Sequence, residues 1–163
     1  MEPNEYYLDT NLLIGWVRHI LSKKKPLEPK FIVFLKQHPE IKTWISTITI
    51  AEIVEFLQKD FGKHNLTFVQ MKKVIEKMQK IIGFRIINAY VTDEGMEEIK
   101  DIVLNARNLV LLTYEGRDVK DAIHVEIARQ NRLWFITRDI DVGRMKRIYA
   151  YIDTAEKLMK KFN

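Results

Sequence analysis

No cysteine occurs anywhere in the 163 residues. That excludes disulfides, zinc ribbons and a cysteine nucleophile, and it fits a reducing compartment. No apolar run approaches the ~18 residues that cross a bilayer, so no transmembrane helix is expected. The opening MEPNEYYL carries no basic segment ahead of an apolar stretch, so no signal peptide is expected. Internal repeats and low-complexity tracts are missing as well. The one linker-like stretch, "SKKKPLEP" at 22–29, is too short to divide the chain into domains. Together these absences lead us to expect a cytoplasmic chain, one domain over 1–163, with no membrane partner.

What remains is ample for a core. Hydrophobic residues make up 47% and charged residues 30%, and 27 basic against 22 acidic side chains leave a net charge of +5. A basic balance suits a polyanionic partner such as nucleic acid, and equally a lysine-rich solvated surface.

Short apolar runs alternate with longer helical patterns. Strands are expected at 5–9, 42–46, 84–90, 132–137 and 149–152. Helices are expected at 11–21, 29–39, 49–61, 66–82 with a Thr67 cap, 92–107 with a Thr92 cap, 118–131, and 153–162 with an Asp-x-x-Glu cap. The alternation predicts an α/β domain: a five-stranded, mostly parallel sheet with helices on both faces. In such folds sites form at the carboxyl ends of the strands.

Four acids are expected at that edge. Asp9 ends the first strand and Asp139 follows the fourth by two residues. Glu52 and Asp121 are placed in the first turns of the 49–61 and 118–131 helices. Each also has a capping reading: Asp9 for the 10–21 helix, Glu52 as partner of Thr49 in a capping box, Asp121 as a dipole-favoured acid behind an Asp118 cap, and Asp139 at a turn before Gly143. Clustered carboxylates raise one another's pKa unless a cation neutralises them. All-oxygen ligands suit Mg²⁺ or Mn²⁺. The chemistry this implies is metal-assisted phosphodiester hydrolysis.

The segments "YYLDTNLLI", "STITIAEIVEFL", "DVKDAIHVEIA" and "LWFITRDIDV" resemble, in order, the four acidic motifs of the PIN-domain ribonucleases. They span nearly the whole chain, and the first and third are the most specific. The compact form resembles the toxin subunit of VapBC-type toxin–antitoxin pairs. The resemblance implies a Rossmann-like sheet of order 3-2-1-4-5, endonucleolytic cleavage of RNA with Mg²⁺ or Mn²⁺, a homodimer, and an antitoxin protein that blocks the pocket. Carried over by motif, Asp9, Glu52, Asp121 and Asp139 are the catalytic, metal-binding acids, the metal falling chiefly to Asp9, Asp121 and Asp139. Asn11 and Thr137 match supporting polar positions. Asp141 competes with Asp139, which is preferred because it follows the Thr137–Arg138 pair. Asp118 is an extra acid read as a cap, and Glu55 lies deeper in its helix than Glu52.

Around these, Arg138, Arg144, Lys146 and Arg147 are candidates for holding phosphates, or ordinary surface charge. Lys23, Lys24 and Lys25 read as a solvated loop, with contact to RNA as the alternative. His124 reads as a partly exposed histidine packing on its helix, with a place facing the site as the alternative. Trp16, Trp44 and Trp134 read as core or interface. Three other functions compete. A phosphatase acting through an aspartyl phosphate, of the haloacid-dehalogenase kind, wants an acid at position 11 and finds Asn11. A catalytically silent RNA- or protein-binding module is one alternative, and an RNA-processing nuclease, for example in rRNA maturation, is another.

Overall fold

The computed structural model describes residues 4–22, 27–61, 67–90, 102–103, 106–115, 118–138 and 143–162. Five parallel strands form the main sheet: β1 (Tyr6–Leu8), β2 (Thr43–Ser46), β3 (Arg85–Ile87), β6 (Trp134–Thr137) and β7 (Ile152–Thr154). Their order is β3-β2-β1-β6-β7, which is 3-2-1-4-5 counted within this sheet. A separate parallel pair joins β4 (Ala89–Tyr90) to β5 (Ile102–Val103). The order reverses beside β1, whose two neighbours are β2 and β6.

Side chains alternate across a strand, so β1 serves two cores at once. Leu8 belongs to a cluster with α1 (Thr10–Leu21), α2 (Lys30–Gln37), α3 (Thr47–Phe61), α4 (Phe68–Ile82) and α7 (Ala155–Phe162). Tyr7 belongs to the opposite cluster, with α5 (Ala106–Glu115) and α6 (Val119–Gln130). The result is the expected three layers. Among the described residues no helix is long and apolar enough to cross a membrane. Trp16 is in the core, whereas Trp44 and Trp134 are half-buried beneath Arg85 and Lys161.

Five local expectations are corrected. The expected 84–90 strand breaks at Asn88, because the Thr47 hydroxyl takes both the N–H and the C=O of Ala89, each at 3.0 Å, away from the β2 ladder. The expected 92–107 helix does not hold at Ile102–Val103, a β-branched pair that forms β5. The rest of that stretch through residue 105, Thr92 included, lies outside the described residues. A helix the pattern does not indicate, α5, follows it. Val110 and Leu111 are exposed there, so the sequence carries no clean apolar stripe. The fifth strand starts at Ile152 instead of residue 149. Tyr149 is still tied to the 3-10 turn Met145–Arg147 through its N–H and to Leu133 O through its hydroxyl, at 2.5 Å. Finally, Thr154 caps α7 by accepting from Lys157 N at 3.3 Å, while Asp153 is a buried strand residue facing Lys157 and Lys161 at 3.5 and 3.9 Å.

Candidate active site at the carboxyl edge of the sheet

The parallel register sets the site. Leu8 is paired with Ile136, and Asp9 N donates to Ile136 O at 2.9 Å, so Asp9 leaves β1 beside the last residue of β6, Thr137. The Thr137 hydroxyl donates to Asp9 Oδ2 at 2.5 Å and accepts from Asn11 Nδ2 at 3.1 Å. Arg138 N in turn donates to Asn11 Oδ1 at 3.3 Å. Asp9 stands at the N-cap of α1 with extended backbone, yet its side chain makes no capping hydrogen bond. Its carboxyl is used across the sheet instead. It is 5% exposed and has no ion-pair partner among the described residues. Burial pushes its pKa up, and Glu52 adds to that, while His124, Thr137 and the backbone at Asn11 pull the other way.

Glu52 arrives from α3, and here the sequence reading is corrected. The helix begins at Thr47, so Glu52 is not in its first turn and Thr49 is not its cap. The capping exchange occurs one turn earlier, between Ser46 and Thr49: Thr49 N meets Ser46 Oγ at 3.3 Å, and Ser46 N meets Thr49 Oγ1 at 3.4 Å. Glu52 is thereby free to point at the site, where Oε2 accepts from Thr10 Oγ1 and from His124 Nε2, the latter at 2.8 Å. Oε1 faces Lys120 Nζ at 3.9 Å. Burial raises the Glu52 pKa, but the bonds and charges of His124, Thr10 and Lys120 outweigh it and hold the carboxyl below the usual range. Lys120 also pairs with Glu55 at 3.1 Å, and that hydrogen bond with the two acids raises the lysine pKa.

His124 is 1% exposed, not partly exposed as expected. Its Nδ1 lies 2.7 Å from the Tyr7 hydroxyl, which also meets Ser46 Oγ at 2.7 Å and Thr49 Oγ1 at 3.2 Å. Tyr7, Thr10, Ser46 and Thr49 lie within the first two motif segments, but the sequence reading does not place any of them in the site. For Tyr7 the available signal is its position two residues before Asp9, on the same side of the strand.

Asp118 is the N-cap of α6, its carboxylate accepting from Lys120 N at 3.0 Å, and Asp121 follows in the first turn, half-buried, one turn before His124. The structure therefore brings Asp9, Glu52, Asn11, Thr137 and His124 together, with Asp121 on the helix that supplies His124. Asp139 and Asp141 lie outside the described residues, as do Lys23, Lys24 and Lys25. Arg138, Arg144 and Arg147 are exposed and Lys146 is half-exposed.

Among the described residues, no three histidines or acids are close enough to hold a metal ion. The donor chemistry nevertheless fits a hard dication. Asp9 is a buried carboxylate with no ion-pair partner among the described residues; burial disfavours its ionised form, and a nearby cation would offset that penalty.

A groove of about 750 Å³ adjoins this edge at Arg138 and runs over Leu12, Phe31, Ala155 and Met159, with Arg18 and Lys30 among its lining residues.

No family model and no curated protein matches the chain. Among solved structures it is similar to the crystal structure of PAE2754 from Pyrobaculum aerophilum. The likeness has a TM-score of 0.57 and 18% identity, over 96% of this chain and 88% of that one. At that identity the likeness is one of fold.

Proposed function

We propose that this chain is a divalent-metal-dependent endoribonuclease of the PIN kind that hydrolyses phosphodiester bonds in single-stranded RNA. The observation that carries the reading is Asp9. It is a buried carboxylate at the carboxyl end of the central strand, oriented by Thr137 and Asn11, with a second acid, Glu52, in electrostatic reach. A charge so costly to bury is tolerated where a function uses it. Asp9, with Asp121 and Asp139, would hold Mg²⁺ or Mn²⁺. When bound, the ion supplies an activated water and takes up charge developing on the phosphate. Thr137 and Asn11 keep the Asp9 carboxylate aimed, and His124, Thr10 and Lys120 together keep Glu52 ionised. Arg138, Arg144 and Lys146 hold the RNA backbone, with the groove from Arg138 as the path of the strand.

The finer reading is the toxin of a toxin–antitoxin pair: a cytoplasmic homodimer whose acidic edge an antitoxin protein covers. It rests on the motif resemblance and the compact single domain. An RNA-processing nuclease would use the same site on a different RNA.

The test is cleavage of a panel of single-stranded RNAs with Mn²⁺ or Mg²⁺. Activity should vanish in EDTA and in Asp9→Asn or Asp121→Asn with the fold intact. Equal cleavage in EDTA overturns the metal chemistry, and an inactive wild type across the panel overturns the enzyme.

A further inference from the structure

A polar chain runs from the apolar core to the sheet edge, and phosphodiester hydrolysis by itself does not call for its inner half. Tyr7, Ser46, Thr49 and His124 are each no more than 1% exposed. Burying four polar side chains is costly unless their hydrogen bonds are met, and here each of the four has a partner within hydrogen-bond distance. Glu52 is ionised and can only accept, so the 2.8 Å contact requires the hydrogen on His124 Nε2. With the hydrogen on Nε2 alone, Nδ1 carries a lone pair that can accept from the Tyr7 hydroxyl, 2.7 Å away. The Tyr7 oxygen is then free to accept from the Ser46 and Thr49 hydroxyls, 2.7 and 3.2 Å away. At the outer end, Oε2 of Glu52 is taken by His124 and Thr10. Oε1 stands 3.9 Å from Lys120 Nζ, beyond hydrogen-bond range, and a dication seated on it would face that ammonium.

We propose, resting on the nuclease reading above, that His124 is a positioning residue: through Nε2 it fixes the Glu52 carboxylate, Tyr7 sets its tautomer, and Glu52 orients the attacking water through Oε1 instead of binding the metal. Glu52 and Asp9 thus divide by environment, Glu52 being tethered to His124 and Thr10 and Asp9 left for the ion.

The test uses the full chain with Glu52→Gln, His124→Gln, His124→Asn and Tyr7→Phe, each checked for a cooperative unfolding transition. A glutamine amide reaches the position of Nε2 and can donate to Glu52. An asparagine amide reaches only that of Nδ1. Titration calorimetry with Mn²⁺ alone reads the metal site, RNA cleavage reads kcat and KM, and nitrogen-15 spectra of the imidazole read the tautomer. Glu52→Gln and His124→Asn should lower kcat about tenfold or more, with KM and the Mn²⁺ Kd within about threefold of wild type. His124→Gln should recover most of kcat. Wild-type His124 should be the Nε2–H tautomer, and Tyr7→Phe should mix the two forms. A Glu52→Gln variant that binds Mn²⁺ about tenfold more weakly makes Glu52 a ligand and overturns the proposal, as do equal losses in His124→Gln and His124→Asn. A wild type that neither binds Mn²⁺ nor cuts RNA overturns the nuclease reading alone. The spectra then decide the positioning: a tautomer preference lost in Tyr7→Phe upholds it, and a ring indifferent to Tyr7 and Glu52 overturns it.

Discussion

The Tyr7 hydroxyl lies 2.7 Å from His124 Nδ1 and ties the central strand to the 119–130 helix across 117 positions of the chain. Through Glu52 the same histidine reaches α3, so one imidazole joins three elements that the sequence keeps far apart.

Tyr7→Phe should therefore destabilise the fold although it removes a single oxygen. Three buried partners lose a bond at once, and an unmet buried polar group costs about 1–3 kcal/mol. A drop in the urea midpoint with unchanged m-value checks it. An unaltered midpoint would show that the buried partners re-pair without Tyr7.

Asp9→Asn should do the reverse. The wild-type carboxyl has a raised pKa because burial disfavours its charge, so above the unfolded value its ionisation works against the fold. The amide keeps an acceptor for Thr137 and removes the charge, so the variant should be more stable than wild type near neutral pH. Added Mn²⁺ should raise the melting temperature of wild type and leave that of Asp9→Asn unmoved. Thermal melts with and without the ion read both effects.

The pH dependence through Glu52 has the ordinary sign. Its folded pKa lies below the ordinary glutamate value of 4.5, so its contribution is present above that pH and is lost as pH falls through the folded value. Glu52→Gln should flatten this portion of the acid limb in a series of denaturation curves spanning roughly pH 6 to pH 3. The effect is modest, because the carboxylate is partly solvated.

Arg138→Ala, Arg144→Ala and Lys146→Ala should raise KM for RNA several-fold at near-constant kcat. Each should also reduce the salt dependence of binding by about one unit of log–log slope, the mark of a phosphate contact. Assays across a range of KCl concentrations separate this from loss of fold.

Gly83→Ala tests the scaffold apart from the site. Gly83 ends α4 at φ +66°, where an added Cβ meets no neighbouring atom but the backbone is left-handed. The cost should be about 1–2 kcal/mol of stability with RNA cleavage unchanged, and Gly83→Asn should cost less. Paired urea melts and cleavage rates measure it.

Local signals carry much of this protein. Short apolar runs and helical spacing locate the first four strands of the main sheet and most helices and set the fifth strand three residues early, and the Thr67 and Asp118 caps sit where side-chain chemistry places them. The failures have local causes too. Ile102 and Val103 follow an acid-rich helical pattern but pair as a strand, and α5 leaves Val110 and Leu111 exposed, which blurs its apolar stripe. Asp9 and Asn11 are legible as a motif, and Thr137 as a polar strand end. That Thr137 bridges them depends on a register between strands more than a hundred residues apart.

By itself the sequence determined the α/β alternation, Asp9 at a strand end and Asp121 at a helix start, and the absence of cysteine chemistry, because these follow from residue type and near-neighbour spacing. Only the tertiary structure decided what each acid meets. Asp9, in line to cap a helix, faces Thr137 instead, and Glu52, in line for a capping box, is held by a buried histidine. The reason is physical: a carboxyl's role is set by its desolvation and its donors, and both come from distant segments that only parallel pairing and helix packing bring within hydrogen-bond range.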